Sequence, residues 1–452
     1  MRKSVSLQYA LWASNLIILL AFVFATCRVA SALPMFARRY GVPCSTCHTS
    51  PPRLNETGYR FRAAGFRMPE ELGKSVETSH KLTDHIGFRL QPRLDLVRST
   101  IGPATQTKHE VELFASEGYL WYGPISKHFS AMAKLTFWPE ESSETERHER
   151  LEGGLRFNYG SADNFVDIRA GVPHPLEGFG GSESYSVSNT KPFIQELKTA
   201  NFNQDTFFTP LGLHQMAITA GYYHKRTTIR GSVTRGMRLL IDHKDGELQP
   251  FGKKEPFTEA LRGSEGGGPD FQVFFNQILH PDGGNISVYY YNGRSNLPRL
   301  DLLPETEPAD PFDESTKVTQ AEVANLPFYK NTFQRLALYA GYPIKRVSLL
   351  SGFQYGRDAI GSGGHFSSAG YFAEANVKVF NDISVAGARF DWFDPARIKS
   401  DNEVIGFTPY LNVWIRSQLR IAAEFQHRAT RRGPLASERK DNAFQLRLYW
   451  IM

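Results

Sequence analysis

The chain has 452 residues, of which 41% are hydrophobic, 13% aromatic and 22% charged, and this composition excludes a low-complexity disordered protein. Lysine and arginine exceed aspartate and glutamate by 52 − 46 = 6; without Arg2, Lys3 and Arg28 of the first 32 residues the excess is 49 − 46 = 3. This near-neutral balance excludes a nucleic-acid surface as the main function. No apolar run after residue 32 approaches the roughly 20 residues that a membrane-spanning helix needs, so a polytopic helical membrane protein is excluded as well.

The first 32 residues are predicted to be a cleaved secretory signal peptide. The basic pair Arg2-Lys3 precedes an apolar core at residues 16–25, and Ala30-Ser31-Ala32 fits the small-residue cleavage rule. An uncleaved anchor helix is the alternative, and it is disfavoured because the apolar core is shorter than a full membrane span. Cleavage after Ala32 removes Cys27 from the mature protein.

The two remaining cysteines stand in the motif Cys44-Ser45-Thr46-Cys47-His48. This spacing is typical of c-type haem attachment. Two thiols three positions apart reach the two vinyl groups of one haem, and the imidazole that follows becomes the proximal iron ligand. The sequence therefore predicts one covalent haem c on Cys44 and Cys47, with His48 bound to the iron.

A redox disulfide and half of a zinc site are the two alternatives for this motif. A zinc site needs a second pair of ligands at a matching distance, but the mature chain has no other cysteine, and the next histidines are His80 and His85. A redox CxxC usually lies at a helix start in a βαβ unit, which this sequence does not suggest.

The second axial ligand of the iron stays open among Met68, Met35, His80, His85 and a histidine of the barrel wall. Methionine or histidine would each suit a haem that transfers electrons. Met68 is favoured because it follows the predicted helical segment.

That segment, at residues 51–68, is predicted to cover the haem. Asn55 suits a helix N-cap after the two prolines at 51 and 52. Arg60 and Arg62 are predicted to pair with the haem propionates, with a solvated helix face as the equal alternative. The side chains predicted to cover the haem faces are Leu54, Tyr59, Phe61 and Phe66.

The stretch Phe36-Ala37-Arg38-Arg39-Tyr40-Gly41-Val42-Pro43-Cys44-Ser45-Thr46-Cys47-His48, with Pro52, Leu54, Asn55, Gly58, Phe61, Gly65 and Phe66 after it, resembles the outer-membrane cytochrome–porin fusions of iron-oxidising bacteria. The resemblance is specific over residues 34–67. It implies one c-type haem ahead of a porin barrel. It also implies electron transfer from an extracellular donor, Fe(II) in that family, to a periplasmic c-type cytochrome. It supports the architecture better than the substrate, because the same block can occur in relatives that do not oxidise iron.

From residue 86 onward, apolar and polar residues alternate with period two, as Ile405, Phe407 and Leu411 do with Gly406, Thr408 and Tyr410. Such alternation is typical of a transmembrane barrel with a wet lumen. Long segments at 174–212, 238–269 and 293–330 alternate with tight joins, which is the asymmetry of outer-membrane barrels. We predict sixteen antiparallel strands, near residues 86–98, 110–122, 128–138, 152–159, 164–173, 213–224, 227–237, 270–280, 284–292, 331–341, 345–355, 368–379, 383–393, 403–415, 419–428 and 442–450.

A soluble β-sandwich or propeller is the alternative to a membrane barrel. The barrel is favoured because strands continue to the end of the chain, where Phe444–Met452 resembles a C-terminal strand recognised by barrel-assembly machinery, although it ends on Met rather than the usual Phe. Aromatic residues near strand ends are also expected to form girdles at the two membrane interfaces. The predicted girdle residues are Tyr119, Trp121, Trp138, Tyr339, Trp392 and Trp414.

The last third of the chain has a resemblance of its own. Asp391-Trp392-Phe393-Asp394-Pro395, Thr408-Pro409-Tyr410-Leu411-Asn412 and Asp441-Asn442-Ala443-Phe444-Gln445-Leu446 are similar to sixteen-stranded phosphate-type porins. The similarity covers roughly residues 383–450 and supports the fold. It does not extend to anion selectivity, because no lysine-rich constriction loop can be matched.

These patterns divide the chain into a signal peptide at 1–32, a monohaem cytochrome c segment at 33–84 and an outer-membrane β-barrel at 85–452. Because residues 33–84 supply little core of their own, we expect the haem segment to lie in or against the barrel mouth. Three functions follow: an outer-membrane electron conduit, with Fe(II) oxidation left open; a solute porin with a structural or sensory haem; and a soluble periplasmic cytochrome. The sequence predicts contact with outer-membrane lipid and no nucleic-acid partner.

Overall fold

The computed structural model of the protein describes most of the chain after the predicted signal peptide. The signal peptide itself lies outside the described residues, and so does His80, one of the candidates for the second axial ligand. The ranges described are 35–74, 84–113, 116–139, 147–172, 186–196, 200–201, 204–205, 216–234, 239–241, 248–250, 269–298, 327–359, 363–380, 384–397, 402–416, 418–431 and 438–451. No helix within these ranges is long and apolar enough to cross a membrane.

Antiparallel hydrogen bonding closes the strands after residue 86 into one barrel. The ring contains eighteen strand segments, but two pairs of them are single strands with a short interruption. Gly87–Leu90 and Arg93–Ile101 both pair with the last strand. Ala104–Glu112 pairs with Arg93–Ile101, and Ser116–Pro124 pairs with Gly87–Leu90. The barrel therefore has 18 − 2 = 16 strands, as the sequence predicts.

We number these strands β1 to β16 in chain order. They are β1 (Gly87–Leu90 with Arg93–Ile101), β2 (Ala104–Glu112 with Ser116–Pro124), β3 (Phe129–Pro139), β4 (Arg147–Gly160), β5 (Asn164–Val172), β6 (Ala217–His224), β7 (Thr227–Thr234), β8 (Asp270–His280), β9 (Gly284–Pro298), β10 (Phe328–Ile344), β11 (Val347–Ala359), β12 (His365–Lys378), β13 (Val385–Asp394), β14 (Val404–Arg416), β15 (Leu419–Thr430) and β16 (Arg439–Ile451).

The period-two alternation of the sequence sets which face of each strand points outward. In β11, Leu349 and Phe353 are exposed, while their respective neighbours Ser348 and Gln354 are buried. In β14, Phe407 is exposed and Thr408 is fully buried. The barrel thus presents apolar side chains outside and polar ones inside, the pattern of a barrel surrounded by lipid.

The prediction of an outward-facing aromatic girdle is wrong for two of its residues. Tyr339 and Trp414 are buried on the inner face instead of facing outward. Residues two positions apart in a strand lie on the same face of the sheet. Tyr339 therefore faces inward with Ala337, and Trp414 faces inward with Asn412. Outward aromatics such as Tyr342 occupy the other parity.

The long connections lie at one end of the barrel and short turns at the other, except that the two-residue turn at 102–103 between β1 and β2 lies at the end of the long connections. The short turns at 125–128, 161–163, 225–226, 281–283 and 345–346 each join strands in the same sense. We call this end the short-turn end. Of the predicted long segments, the described parts include two two-stranded ladders, Ala200–Asn201 with Gln204–Asp205 and Leu239–Ile241 with Leu248–Pro250.

The connection between β5 and β6 enters the barrel interior at residues 186–196. Its short helix Phe193–Glu196 buries Phe193 and Ile194 in an apolar cluster with Phe333, Phe372 and Phe393 of the wall. Backbone N–H groups of the same connection donate to wall carboxylates: Asn189 to Glu424 at 2.7 Å and Val187 to Glu374 at 3.0 Å. The interior is therefore partly apolar and packed, where the sequence predicts a wet lumen.

The segment before the barrel folds into small elements around the cysteine motif. Helix α1 spans Met35–Tyr40, a 3-10 turn spans Cys44–Thr46, helix α2 spans Glu56–Ala63, and a second 3-10 turn spans Pro69–Glu71. A two-stranded hairpin, His48–Ser50 with Arg53–Leu54, lies between the motif and α2.

This segment bonds to the short-turn end. Arg53 donates to Gly283 O at 2.6 Å, Glu56 N donates to Pro281 O at 2.8 Å, and Arg60 donates to Ala162 O at 2.8 Å. Buried Arg67 donates to the carbonyl oxygens of Lys127 at 2.7 Å and Phe129 at 3.1 Å. Through these bonds, three separate turns of the barrel contact residues 53–67.

Candidate haem-attachment site

The cysteine motif forms a tight turn that leaves both thiols accessible. Pro43 is extended, and the 3-10 turn that follows closes with Cys47 N donating to Cys44 O at 3.2 Å. Cys44 and Cys47 are free and half-buried. Burial raises the pKa of the Cys44 thiol, and it raises that of Cys47 to about 11, so both remain protonated at neutral pH.

His48 is held as a neutral imidazole with one nitrogen already used. Its Nδ1–H donates to Arg53 O at 3.2 Å, across the small hairpin. Burial lowers the pKa of His48 to about 4. A neutral imidazole whose Nδ1 is bonded to a backbone carbonyl has its Nε2 lone pair available for a metal, which is the usual arrangement of a metal-ligating histidine.

Asn55 ties helix α2 to the motif and confirms the predicted N-cap. Its Oδ1 accepts from Gly58 N at 3.0 Å, while its Nδ2 donates to Thr46 O at 3.0 Å. Asn55 N also donates to Cys47 O at 3.0 Å. One residue therefore begins the helix and fixes the motif against it.

Gly58 allows the helix to lie directly on the motif. A Cβ at this position would lie 2.2 Å from Cys47 O and 2.9 Å from Leu54 Cδ2. No larger residue fits between the two elements without a shift of the backbone.

The four side chains predicted to cover the haem faces fall into two groups. Leu54 and Tyr59 pack with Ile278 of strand β8. Phe61 and Phe66 instead join Phe36 of helix α1, with ring centroids 4.9 Å and 5.6 Å from it. The second group continues to Tyr122 of the wall, 4.9 Å from Phe66.

Arg60 and Arg62 point to different surroundings. Arg60 forms an ion pair with Asp163 at 2.9 Å, in the short turn after β4. Arg62 is buried, and burial lowers its pKa to about 10. Since Arg60 is already engaged by a wall carboxylate, Arg62 is the stronger of the two for the propionate role.

The candidates for the second axial ligand are dispersed around the segment. Met68 is half-buried, and its backbone N–H donates to Glu71 Oε2 at 3.2 Å. Met35 is buried in helix α1. His85 stacks on Trp121 with ring centroids 4.0 Å apart, and its Nδ1 lies 3.5 Å from Arg39. Met68 stays a prediction.

The donor set fits a covalent haem better than the two alternatives. Both thiols are free, which argues against a structural disulfide. Within the described ranges, no group of three or more His, Cys, Asp or Glu side chains is arranged to hold a metal ion. Two accessible thiols next to a neutral, oriented imidazole match the requirements of haem c.

The inner wall beside helix α2 carries functional candidates that no sequence motif indicates. Arg156 and Arg169 are buried there, and Arg156 Nη1 donates to Arg62 O at 2.6 Å. Strand parity alone places both on the inner face. The inward position of Arg156 and Arg169 can therefore be predicted from the sequence, but nothing in the sequence relates these arginines to Arg62.

No known protein-family profile matches the chain, and no curated protein matches it. Among solved structures, the anion-selective porin of Comamonas acidovorans has a TM-score of 0.50 at 9% identity, covering 81% of this chain and 99% of that chain. OmpT of Vibrio cholerae has a TM-score of 0.49 at 10% identity over 81% and 99%. OmpF of Salmonella typhi in complex with daunomycin has 0.48 at 8% over 81% and 97%. At 9% identity, the likeness to the Comamonas acidovorans porin shows the fold alone, which is that of a porin-type barrel.

Proposed function

We propose that this chain is an outer-membrane electron-transfer protein. In this proposal one c-type haem is bound by Cys44, Cys47 and His48, in a segment that closes the short-turn mouth of the barrel. When bound, the haem supplies one-electron exchange between an extracellular donor and a periplasmic c-type cytochrome.

The observation that carries the proposal is the state of the cysteine motif. Cys44 and Cys47 are free thiols, and His48 keeps a neutral imidazole oriented by Arg53 O. Asn55 and Gly58 then hold helix α2 on this turn. These residues serve to bind and orient the group and to exclude water from one side of it.

The membrane location is supported by the outer face of the barrel. Exposed apolar residues occur on every quarter of the wall, for example Leu155, Ile218, Leu349 and Phe407. Lipid contact accounts for this apolar exterior better than water does, because large exposed apolar surfaces are rare in soluble monomers. In bacterial outer-membrane barrels the short turns face the periplasm, which supports a periplasmic position for the haem segment.

The test uses intact cells. Reduced-minus-oxidised spectra are recorded before and after Fe(II) is added at acid and at neutral pH. A C44S/C47S variant serves as the control for other haem proteins. We expect Fe(II) to reduce a haem band that is missing in the variant and that co-purifies with the outer membrane. A band present in the membrane but unmoved by Fe(II) would refute the iron donor, and the absence of covalent haem would refute the whole proposal.

A solute porin with a structural or sensory haem is the second candidate, and the porin-type fold favours it equally. The two differ in conductance. In planar bilayers a solute porin conducts steadily as the full chain, whereas a barrel closed at one mouth conducts only after residues 33–84 are displaced. Steady conductance of the haem-loaded chain would favour the porin.

A further inference from the structure

Three basic side chains point outward from neighbouring strands at the end of the barrel opposite the short-turn end, and we call Arg294, Lys330 and Arg357 the outer basic patch. They belong to β9, β10 and β11, and all three are exposed. The strand register brings them near one another. Arg294 lies opposite Thr332, which is two positions from Lys330. Arg357 lies opposite Gln334, the next outward residue after Thr332.

The outer basic patch begins where the apolar band of the outer face ends. On β10 the outward residues from Tyr342 to Leu336 are apolar or aromatic, and the polar Gln334 and then Lys330 follow at the same face. From Tyr342 to Gln334 the strand rises about 27 Å at 3.4 Å per residue, or about 21 Å along the barrel axis at a tilt of about 40°. The apolar band of outer-membrane barrels is about 25 Å tall, so the patch lies at the level of the lipid headgroups.

Outward aromatic side chains mark the same boundary on three strands. Tyr290 of β9, Tyr355 of β11 and Tyr371 of β12 are 39%, 37% and 42% exposed. Tyr355 is the outward residue next to Arg357, and Tyr371 stacks on Trp392 with ring centroids 5.5 Å apart. Tyrosine and tryptophan rings of membrane proteins concentrate at the headgroup level. The patch therefore lies directly beyond an interfacial girdle.

The patch has no acidic counterpart on its own face. No aspartate or glutamate occupies an outward position in the described parts of β9 to β12. Asp358 and Glu374 of these strands are buried on the inner face, where Asp358 pairs with Arg335 at 2.9 Å. Among the residues that the structure describes, none forms an ion pair with the patch. Basic side chains at a membrane surface attract anionic headgroups, and arginine binds phosphate through two parallel hydrogen bonds.

We propose that the outer basic patch binds the phosphate group of an anionic lipid in the leaflet at this end of the barrel. The apolar band that adjoins the patch is where the acyl chains of such a lipid would lie, and a soluble anion has no use for it. Longer loops of outer-membrane barrels are extracellular, so this leaflet is the outer one. The inference goes beyond electron transfer, because it involves no residue of the segment at 33–84.

The test measures phosphatidic acid binding to the full chain in uncharged dodecyl maltoside micelles, followed as a rise in the thermal unfolding midpoint. Phosphatidylcholine with the same acyl chains is the zwitterionic control, and inorganic phosphate is the control without acyl chains. We expect phosphatidic acid alone to stabilise the protein.

The variants R294Q, K330Q and R357Q should each bind phosphatidic acid about fivefold more weakly, which is the contribution of one basic side chain near a membrane surface. R357K keeps the charge and should bind within twofold of the wild type. K74Q is the matched control, since it removes an exposed charge from the segment before the barrel and should leave lipid binding unchanged. All these side chains are exposed or face outward, so the substitutions leave the packed interior intact.

Equal stabilisation by the two lipids would overturn the proposal, and so would equal phosphatidic acid binding by K74Q and the three patch variants. Stabilisation by inorganic phosphate that the patch variants lose would assign the patch to a free anion instead. Variants that change the oligomeric size in detergent but keep phosphatidic acid binding would assign it to a contact with a second copy of the chain. Either of these two assignments also overturns the proposal.

Discussion

Replacing Gly58 with alanine should release helix α2 from the cysteine motif. The added Cβ would lie 2.2 Å from Cys47 O, whereas ordinary contact begins at 3.4 Å, so the helix must retreat by 3.4 − 2.2 = 1.2 Å. It cannot retreat freely, because Glu56 N bonds to Pro281 O at 2.8 Å and Glu56 pairs with Arg226 at 2.8 Å.

The magnitude follows from three contributions. Overpacking costs about 1–3 kcal/mol. The retreat also weakens the two hydrogen bonds from Asn55 to Cys47 O and Thr46 O, at about 1 kcal/mol each. Alanine returns about 1 kcal/mol through its higher helix propensity. The net loss is about 2–4 kcal/mol, or a roughly 30- to 700-fold rise in local opening.

Trypsin cleavage of the detergent-solubilised protein measures this opening, because Arg53, Arg62 and Arg67 are buried and become cleavable only when the segment detaches. T57A is the matched control, since it changes the neighbouring helical residue without entering the contact with Cys47. Cleavage of G58A within twofold of T57A would refute the close packing of α2 on the motif.

Three further predictions concern attachment, docking and closure. C47S should lose one thioether bond and shift the haem absorption band, while H48N should keep covalent haem but lose the low-spin spectrum, both followed by absorption spectroscopy. R67A should leave the carbonyl groups of the turn before β3 unsatisfied and destabilise docking by about 1–3 kcal/mol, measured by the same trypsin assay against R67K; equal cleavage of the two would contradict it. E424A should free the connection at 189–190 and raise conductance in planar bilayers once residues 33–84 are displaced, while E403A, whose carboxylate lies in the connection between β13 and β14, should not.

The barrel could be predicted from the sequence because strand alternation is local. Each inward or outward position depends only on the parity of its neighbours, as Phe407 and Thr408 show. Nearness to a strand end does not decide the face of a residue, which is why the girdle prediction is wrong for Tyr339 and Trp414. Strand parity predicts an inward position for both residues.

The packed interior could not be predicted, because it depends on contacts between distant parts of the chain. Glu424 accepts from Asn189 across 235 positions, and Arg67 contacts Ser130 across 63. Neither pair forms a periodic pattern. The sequence of the connection at 186–196 shows no pattern that distinguishes it from an exposed loop. Phe193 and Ile194 are nevertheless among the most buried of the described residues.

The residues of the candidate site also divide into those that a local motif predicts and those that depend on contacts with distant parts of the chain. This difference matters for the proposed function. Cys44, Cys47 and His48 form a local motif, but the assignment of both Arg60 and Arg62 to one anion conflicts with helix geometry. Residues two apart on a helix point to different sides, so one of the two had to face elsewhere. The structure resolves this by pairing Arg60 with Asp163 and burying Arg62 beside Arg156. A single helix therefore has Arg60 on the face against a barrel turn and Arg62 on the face against the inner wall. The electron-transfer proposal then makes a sharper demand than the porin alternative, since it requires the inward face, and not Arg60, to set the properties of the haem.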